Sequence, residues 1–246
     1  FNISTASMFV VAGAGVKIAK HGNKAVSSSS GSFDVLSELG INVNNCGALV
    51  KETLKETNIA LFFAPAHHPV FKNIGDVRRE LGQKTIFNIM GPLLNPCGVK
   101  RQLIGVYDET KTELIAKTMQ KKGIIHGMVV NGNGLDEITI DGETKISELR
   151  NEYIKTYKIK PKTFGITKST ISDIVVSDKE ESASIILSVL DNEDSPARDI
   201  VILNSGAAIY VSGKAKSMGE GVKLAKHSLS SGMARGCLNK LRKVLE

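Results

Sequence analysis

Leu103-Ile104-Gly105-Val106-Tyr107, then Thr110 and Glu113 ahead of Leu114, Ile115 and Met119, then Gly123, then Met128-Val129-Val130: the reading of residues 103–130 decides the fold. Both ends are short unbroken apolar runs, the pattern of strands covered on two faces. Between them, Thr110 and Glu113 have the spacing of a capping box, the three apolar residues form a helical stripe, and Gly123 is a stop signal. A strand, a helix and a second strand in close succession point to parallel pairing through a crossover.

The same alternation extends outward in both directions. Ile59-Ala60-Leu61-Phe62-Phe63-Ala64 is another covered strand. Residues 5–19 are small and apolar and predict a buried helix, and residues 33–39 predict a short helix closed by Gly40. Residues 136–165 are charged and extended, with Tyr153, Tyr157 and Ile159 alternating against polar neighbours, as in a partly exposed sheet. Ser177 and Glu180 predict a further capped helix with Ala183, Ile186, Leu187 and Leu190 on one face. Residues 199–211 are apolar nearly all round, which places that helix centrally. Met218, Val222, Ala225 and Leu229, then Cys237, Leu241 and Val244, mark the last two helices. The expected architecture is α/β: a central, mainly parallel mixed sheet flanked by helices, with residues 1–246 forming one catalytic domain.

The 246 residues allow a sizeable core, and 41% hydrophobic with 23% charged residues is ordinary for a globular protein. No apolar run approaches the roughly 18 residues that cross a bilayer, and residues 1–19 lack a signal-peptide pattern, so no membrane partner is expected. Cys46, Cys97 and Cys237 are three widely spaced thiols, which argues for a reduced, cytoplasmic protein. The net charge of +7 is spread along the chain without aromatic interleaving. That points to a local positive field around a small anion and away from nucleic acid. The opening Phe1-Asn2-Ile3-Ser4-Thr5 reads as a strand end entering a helix, and a portion ahead of Phe1 is expected.

Lys20-His21-Gly22-Asn23-Lys24, continuing through Ser27-Ser28-Ser29-Ser30-Gly31-Ser32, places a histidine, two glycines, an asparagine and five serines beside lysines within 13 residues. Glycines let backbone N–H groups approach phosphate oxygens, serines add donors and lysine adds charge. A solvated serine-rich loop is the competing reading, and the Lys-His-Gly-Asn edge counts against it. Asn2-Ile3-Ser4-Thr5 is a helix cap by default, and a phosphate docked at that helix start would use the same groups. Asp136-Glu137, after a strand exit, suits a hard cation such as Mg²⁺ when phosphates lie nearby. Arg78 or Arg79 offers a bidentate grip on a carboxylate, and His67-His68-Pro69 follows a strand into the cleft.

Lys20 to Ser28 with Ser30-Gly31-Ser32-Phe33-Asp34-Val35-Leu36 resembles the signature of the anthranilate phosphoribosyltransferase family. Val77-Arg78-Arg79-Glu80-Leu81-Gly82, Phe87-Asn88-Ile89-Met90-Gly91-Pro92-Leu93 and Gly134-Leu135-Asp136-Glu137 are similar to the same family, in the same order, over essentially the whole chain. The resemblance implies transfer of a phosphoribosyl group from phosphoribosyl pyrophosphate to anthranilate, in tryptophan biosynthesis, by an intact homodimer using two Mg²⁺ ions. It implies that Asn2, Ser4 and Thr5 bind the donor and that Lys20, His21, Gly22, Asn23, Lys24, Ala25, Val26, Ser27 and Ser28 wrap it, with Ser32 completing its site. Asn23, His68 and Arg78 are implied for anthranilate, and Ser4, Asp136 and Glu137 for magnesium. No catalytic base is assigned. Lys24 stands where the family usually has arginine, and Phe33 where it has a small residue. The family's Gly-Thr-Gly-Gly-Asp loop and small helical domain belong ahead of Phe1. Pyrimidine nucleoside phosphorylases share a looser form of the loop and are the alternative enzyme. A non-catalytic RNA-binding relative is the alternative of another class.

Overall fold

The structure is a computed structural model that describes residues 1–24, 31–69, 80 and 87–246. Helix α1 spans Ile3–Gly13 and strand β1 Ile18–Gly22, followed by α2 (Ser32–Glu38), α3 (Val50–Thr57), β2 (Ile59–Phe63), α4 (Ala64–His67) and α5 (Phe87–Leu93). Then come β3 (Arg101–Gly105), α6 (Thr112–Lys121), β4 (His126–Asn131), β5 (Thr144–Arg150) and β6 (Tyr153–Ile159). Four helices close the chain: α7 (Lys179–Leu190), α8 (Pro196–Ser212), α9 (Met218–Ser230) and α10 (Met233–Leu245).

Where a helix links two strands, the pairing is parallel: β1 with β2, and β3 with β4. Beyond β4 the chain turns back twice, so β5 and β6 add antiparallel to give the order β3-β4-β5-β6. Alternate residues of this sheet enter two apolar clusters. Met128, Val130 and Ile146 face the large core built on α1 and α8, while Ile104, Val129 and Leu149 face α6. Burial on both faces is why 128–130 reads as an unbroken apolar run; each such side chain is worth about 1.5–3 kcal/mol. Helix α8 packs against α1, α9 and β3, as its all-round apolar surface requires.

Several local expectations are corrected. The apolar stretch 5–19 is helical only to Gly13; Ile18 and Ala19 instead join β1, because β2 supplies a ladder from Ile18↔Ile59 onward. Thr110 and Glu113 form no capping box: Asp108 accepts from Thr110 N and holds a short 3₁₀ turn that leads into α6. On α6 the buried stripe is Thr112, Ile115, Ala116 and Met119, with Leu114 57% exposed. Helix α7 is capped by Asp178, one residue after Ser177, and its partner is Glu181, whose carboxylate accepts from Ser177 N. Its Leu187 is half-buried and Val189 takes the core position. On α10 the core positions are Ala234, Leu238, Leu241 and Leu245, so Cys237 and Val244 sit at the stripe's edge.

Glu148 on β5 ties four elements together. Its carboxylate meets His126 Nε2 at 2.9 Å and accepts from Tyr157 OH at 2.6 Å and Tyr210 OH at 2.8 Å. Burial alone would raise this acid; the hydrogen bonds from His126, Tyr157 and Tyr210 overcome it and hold the carboxyl down at about 2. The folded value lies below the unfolded one, so the contribution is complete above the ordinary carboxylate range and is lost as pH falls toward 2. Glu148→Ala leaves these donors without their acceptor and should cost about 3 kcal/mol or more in urea unfolding at pH 7. A loss below about 1 kcal/mol would contradict this reading.

Candidate active site

A cleft of about 1240 Å³ separates β1 from β3. Ser4, the whole Lys20–Lys24 stretch, His68, Asp136 and Glu137 line it. Residues from the first helix, the Lys20–Lys24 stretch and the strand exit, far apart along the chain, thus share one cavity.

Lys20 stands at its centre. Its ammonium donates to Ser4 Oγ at 3.0 Å and feels the Glu137 carboxylate. Burial pulls this lysine down to about 8, with Glu137 opposing. Burial first, and then Asp136, push the Glu137 carboxyl up to about 8, with Lys20 opposing. Both residues keep some surface toward the cleft. The site therefore holds two adjacent acids opposite one lysine.

The acidic pair is held from below. Asn131 Nδ2 donates to Val106 O, and its Oδ1 accepts from Gly134 N. Gly132 and Leu135 exchange backbone hydrogen bonds. Asn204, buried in α8, accepts from Ile138 N and donates to Ile138 O, each at 2.9 Å. Gly105, at the end of β3, touches the Asp136 backbone so closely that a Cβ there would stand 1.6 Å from the Asp136 carbonyl oxygen. Gly105 and Asn204 did not emerge from the sequence; Asn204 carried one signal, as an amide inside an otherwise apolar helix. Gly105→Ala must displace the acidic segment, and a displacement of about 1 Å at a reacting centre costs on the order of 10²-fold in rate. Initial rates across a Mg²⁺ series check this; wild-type rates would refute it.

Among the other expected residues, Asn2 and Thr5 cap α1. Asn2 Oδ1 accepts from Thr5 N, Thr5 is buried, and neither lines the cleft. Ser32 starts α2 and donates to Asn23 O at 3.4 Å, which fastens the loop's entry to that helix without reaching the cleft wall. Phe33 fills the core, with its ring 5.0 Å from that of Phe63. His21 stands edge-on to His68 at 5.2 Å, and its Nε2 is buried without a partner among the described residues. Burial, then His68, keep its imidazole below the ordinary value. His68 Nε2 lies 2.9 Å from Leu94 O. Ala25, Val26, Ser27, Ser28 and Arg78 lie outside the described residues.

The donor set fits magnesium. Among the described residues no group of three or more His, Cys, Asp or Glu forms a closed metal cage. An adjacent carboxylate pair in a cleft roomy enough for a phosphate ester matches an ion that takes one or two protein carboxylates and leaves its other positions to water and phosphate.

An α/β fold in which a cationic, glycine-bearing loop faces two acids across a cleft suits group transfer from a phosphate ester, and a model of the glycosyl transferase family, a/b domain, matches residues 1–235. The anthranilate phosphoribosyltransferase of Nitrosomonas eutropha is 48% identical over 236 residues, 96% of this chain and 69% of that protein. That of Polynucleobacter necessarius is also 48% identical over the same shares. Among solved structures, the anthranilate phosphoribosyltransferase of Thermus thermophilus superposes with a TM-score of 0.90 at 34% identity, over 99% of this chain and 73% of that one. The Saccharomyces cerevisiae enzyme in complex with PRPP and Mg superposes with a TM-score of 0.88 at 28% identity, over 100% of this chain and 69% of that one. The chain belongs to this glycosyl transferase family and, within it, to the anthranilate phosphoribosyltransferases.

Proposed function

We propose that this chain transfers the 5-phosphoribosyl group of phosphoribosyl pyrophosphate to the amine of anthranilate, releasing pyrophosphate and forming N-(5-phosphoribosyl)anthranilate, as a step of tryptophan biosynthesis. The observation that carries the reading is the meeting of Lys20, Ser4 and the Asp136-Glu137 pair in one cleft. Residues 1–246 act as one catalytic α/β domain. The intact protein works as a cytoplasmic homodimer, and no described helix is long and apolar enough to cross a membrane.

Displacement at the ribose C1 carbon builds positive charge on the sugar and negative charge on the departing pyrophosphate. The protein's task is to hold the reactants in line and receive that charge. Lys20 does so with an ammonium kept beside the acids, and the backbone from His21 to Lys24 supplies N–H groups across Gly22. Ala25, Val26, Ser27 and Ser28 continue the wrap, and Asn2, Thr5 and Ser32 complete the donor's site, Asn2 as the cap of α1 and Ser32 through its hydrogen bond to Asn23 O. Asn23, His68 and Arg78 orient anthranilate, Arg78 through its carboxylate. The neutral aromatic amine attacks without prior deprotonation as the C1–O bond to pyrophosphate breaks, and its surplus proton passes to water or the departing pyrophosphate, so no strong base is needed before attack. Asp136 and Glu137 hold one Mg²⁺, and Ser4, whose oxygen already accepts from Lys20, holds a second only together with the donor's phosphates. When bound, magnesium supplies neutralisation of the leaving pyrophosphate's charge.

The test is an assay of the protein with phosphoribosyl pyrophosphate, anthranilate and Mg²⁺. Product should form, and chelation by EDTA should stop it. Turnover of a pyrimidine nucleoside with free phosphate, or turnover indifferent to chelation, would overturn the proposal.

A further inference from the structure

Arg101, His126 and Arg150 form a row across three adjacent strands, because Arg101 pairs in register with His126 and His126 with Arg150. Their side chains line one pocket of about 280 Å³, which Lys216 and Tyr210 also border. Neighbouring strands lie about 4.8 Å apart, so the two arginines stand at one end of the sheet, two strands apart, with His126 between them.

Nothing among the described residues neutralises the row from the pocket side. None of Arg101, Arg150 and Lys216 has a carboxylate at ion-pair distance among the described residues, whereas Lys158 and Lys179 do. Glu148, beneath the row, is taken up by His126, Tyr157 and Tyr210. Among the described residues, the Glu220 carboxylate accepts from the Lys216 backbone N–H and not from its ammonium. The guanidinium groups are also held in place. Arg101 Nη1 donates to Val211 O at 2.8 Å, and its planar end lies against Gly213, where a Cβ would stand 3.2 Å from it. Gly213 has φ +87°, so glycine serves both the turn and this approach. Arg150 Nη1 donates to Tyr210 OH at 3.0 Å and its guanidinium lies 5.7 Å from that ring's centre. Each guanidinium carries five N–H donors, and these contacts use one apiece.

We propose that this pocket is a binding site for a compact dianion of the phosphate class, at the end of β3 opposite the acidic pair; Arg101 and Gly213 border both this pocket and the catalytic cleft, while Arg150, His126 and Lys216 border the pocket alone. It lies where β3 and β4 begin, whereas Asp136 touches Gly105 where β3 ends. A strand of this length puts roughly 13 Å between the two ends, too far for one phosphate to touch both. Fixed guanidinium forks match tetrahedral oxyanions bidentately, and the pocket volume admits a phosphate with a small substituent.

The test is thermal unfolding of the protein in inorganic phosphate against sodium chloride at matched ionic strength, pH 7.5. At ten times its Kd, phosphate should raise the melting temperature by about 3–6 °C. Lys20→Ala, which alters only the catalytic cleft, should keep that rise. Arg150→Gln and Lys216→Gln should each reduce it to below about 1 °C. Lys216 is exposed, so Lys216→Gln decides the matter if Arg150→Gln does not fold. A rise that survives in Lys216→Gln, or that vanishes in Lys20→Ala, would overturn the proposal.

Discussion

Replacing Asp136 by Asn and Glu137 by Gln together is expected to abolish magnesium-dependent turnover, with kcat falling by about 10²–10³-fold or more, the cost of losing a group that stabilises developing charge. The two side chains keep their shape, and the backbone that positions them is held by Asn204 and Gly105, so the variant should fold. A pH dependence should disappear with the charge. Burial and Asp136 hold the Glu137 carboxyl at about 8, so below that pH it carries a proton that an incoming cation must displace. Apparent Mg²⁺ affinity in the wild type should weaken about tenfold for each pH unit below 8 and level off above it. Magnesium titrations of initial rate at pH 6.5, 7.5 and 8.5 check both expectations. Equal titration curves for wild type and variant would refute the assignment.

Lys20→Met is expected to lower kcat/KM for phosphoribosyl pyrophosphate by about 10–150-fold, the equivalent of a charge-assisted contact worth about 1.5–3 kcal/mol. The effect should fall on the donor and leave the KM for anthranilate nearly unchanged, because the ammonium faces Ser4 and Glu137. Stability should move the other way. Burial holds the Lys20 ammonium below its ordinary range, at about 8, so the folded chain binds this proton less readily than the unfolded chain does. Stability from this group therefore rises with pH from about 8 toward 10.5, and at neutral pH the buried charge is a cost that methionine removes. Lost activity with an unchanged or higher melting temperature is the expected pair of results. Lost activity together with a lower melting temperature would mark Lys20 as a structural residue instead.

These two variants rest on residues whose chemistry was legible in the sequence. Lys20 to Lys24 and Asp136-Glu137 each carried a local signal, polar and glycine-bearing at element ends, and the fold brings them face to face. The covered strands at 59–63 and 128–130 and the central helix read over 199–211, which spans Pro196–Ser212, were legible because burial on most sides leaves few polar positions in the pattern. What failed to show depends on contacts between distant segments. The apolar run after Gly13 reads as helix until β2 offers Ile59 to pair with Ile18. Ser177 and Asp178 are both good caps, and only the position of Glu181 decides between them. Thr110 gave way to Asp108 for the same reason. Gly105 and Asn204 hold the acidic pair through approaches to Asp136 and Ile138 that no local pattern encodes.

The central claim is that the donor's diphosphate spans from the Lys20–Lys24 loop to the acids at 136 and 137 through a divalent ion. Anomalous diffraction from crystals grown with phosphoribosyl pyrophosphate and Mn²⁺ in place of Mg²⁺ tests it most directly. The account predicts a manganese peak about 2 Å from oxygens of both the diphosphate and the Asp136-Glu137 pair, with Lys20 on the diphosphate's other side. A donor bound with its diphosphate turned away from residues 136 and 137, and no metal between them, would contradict it.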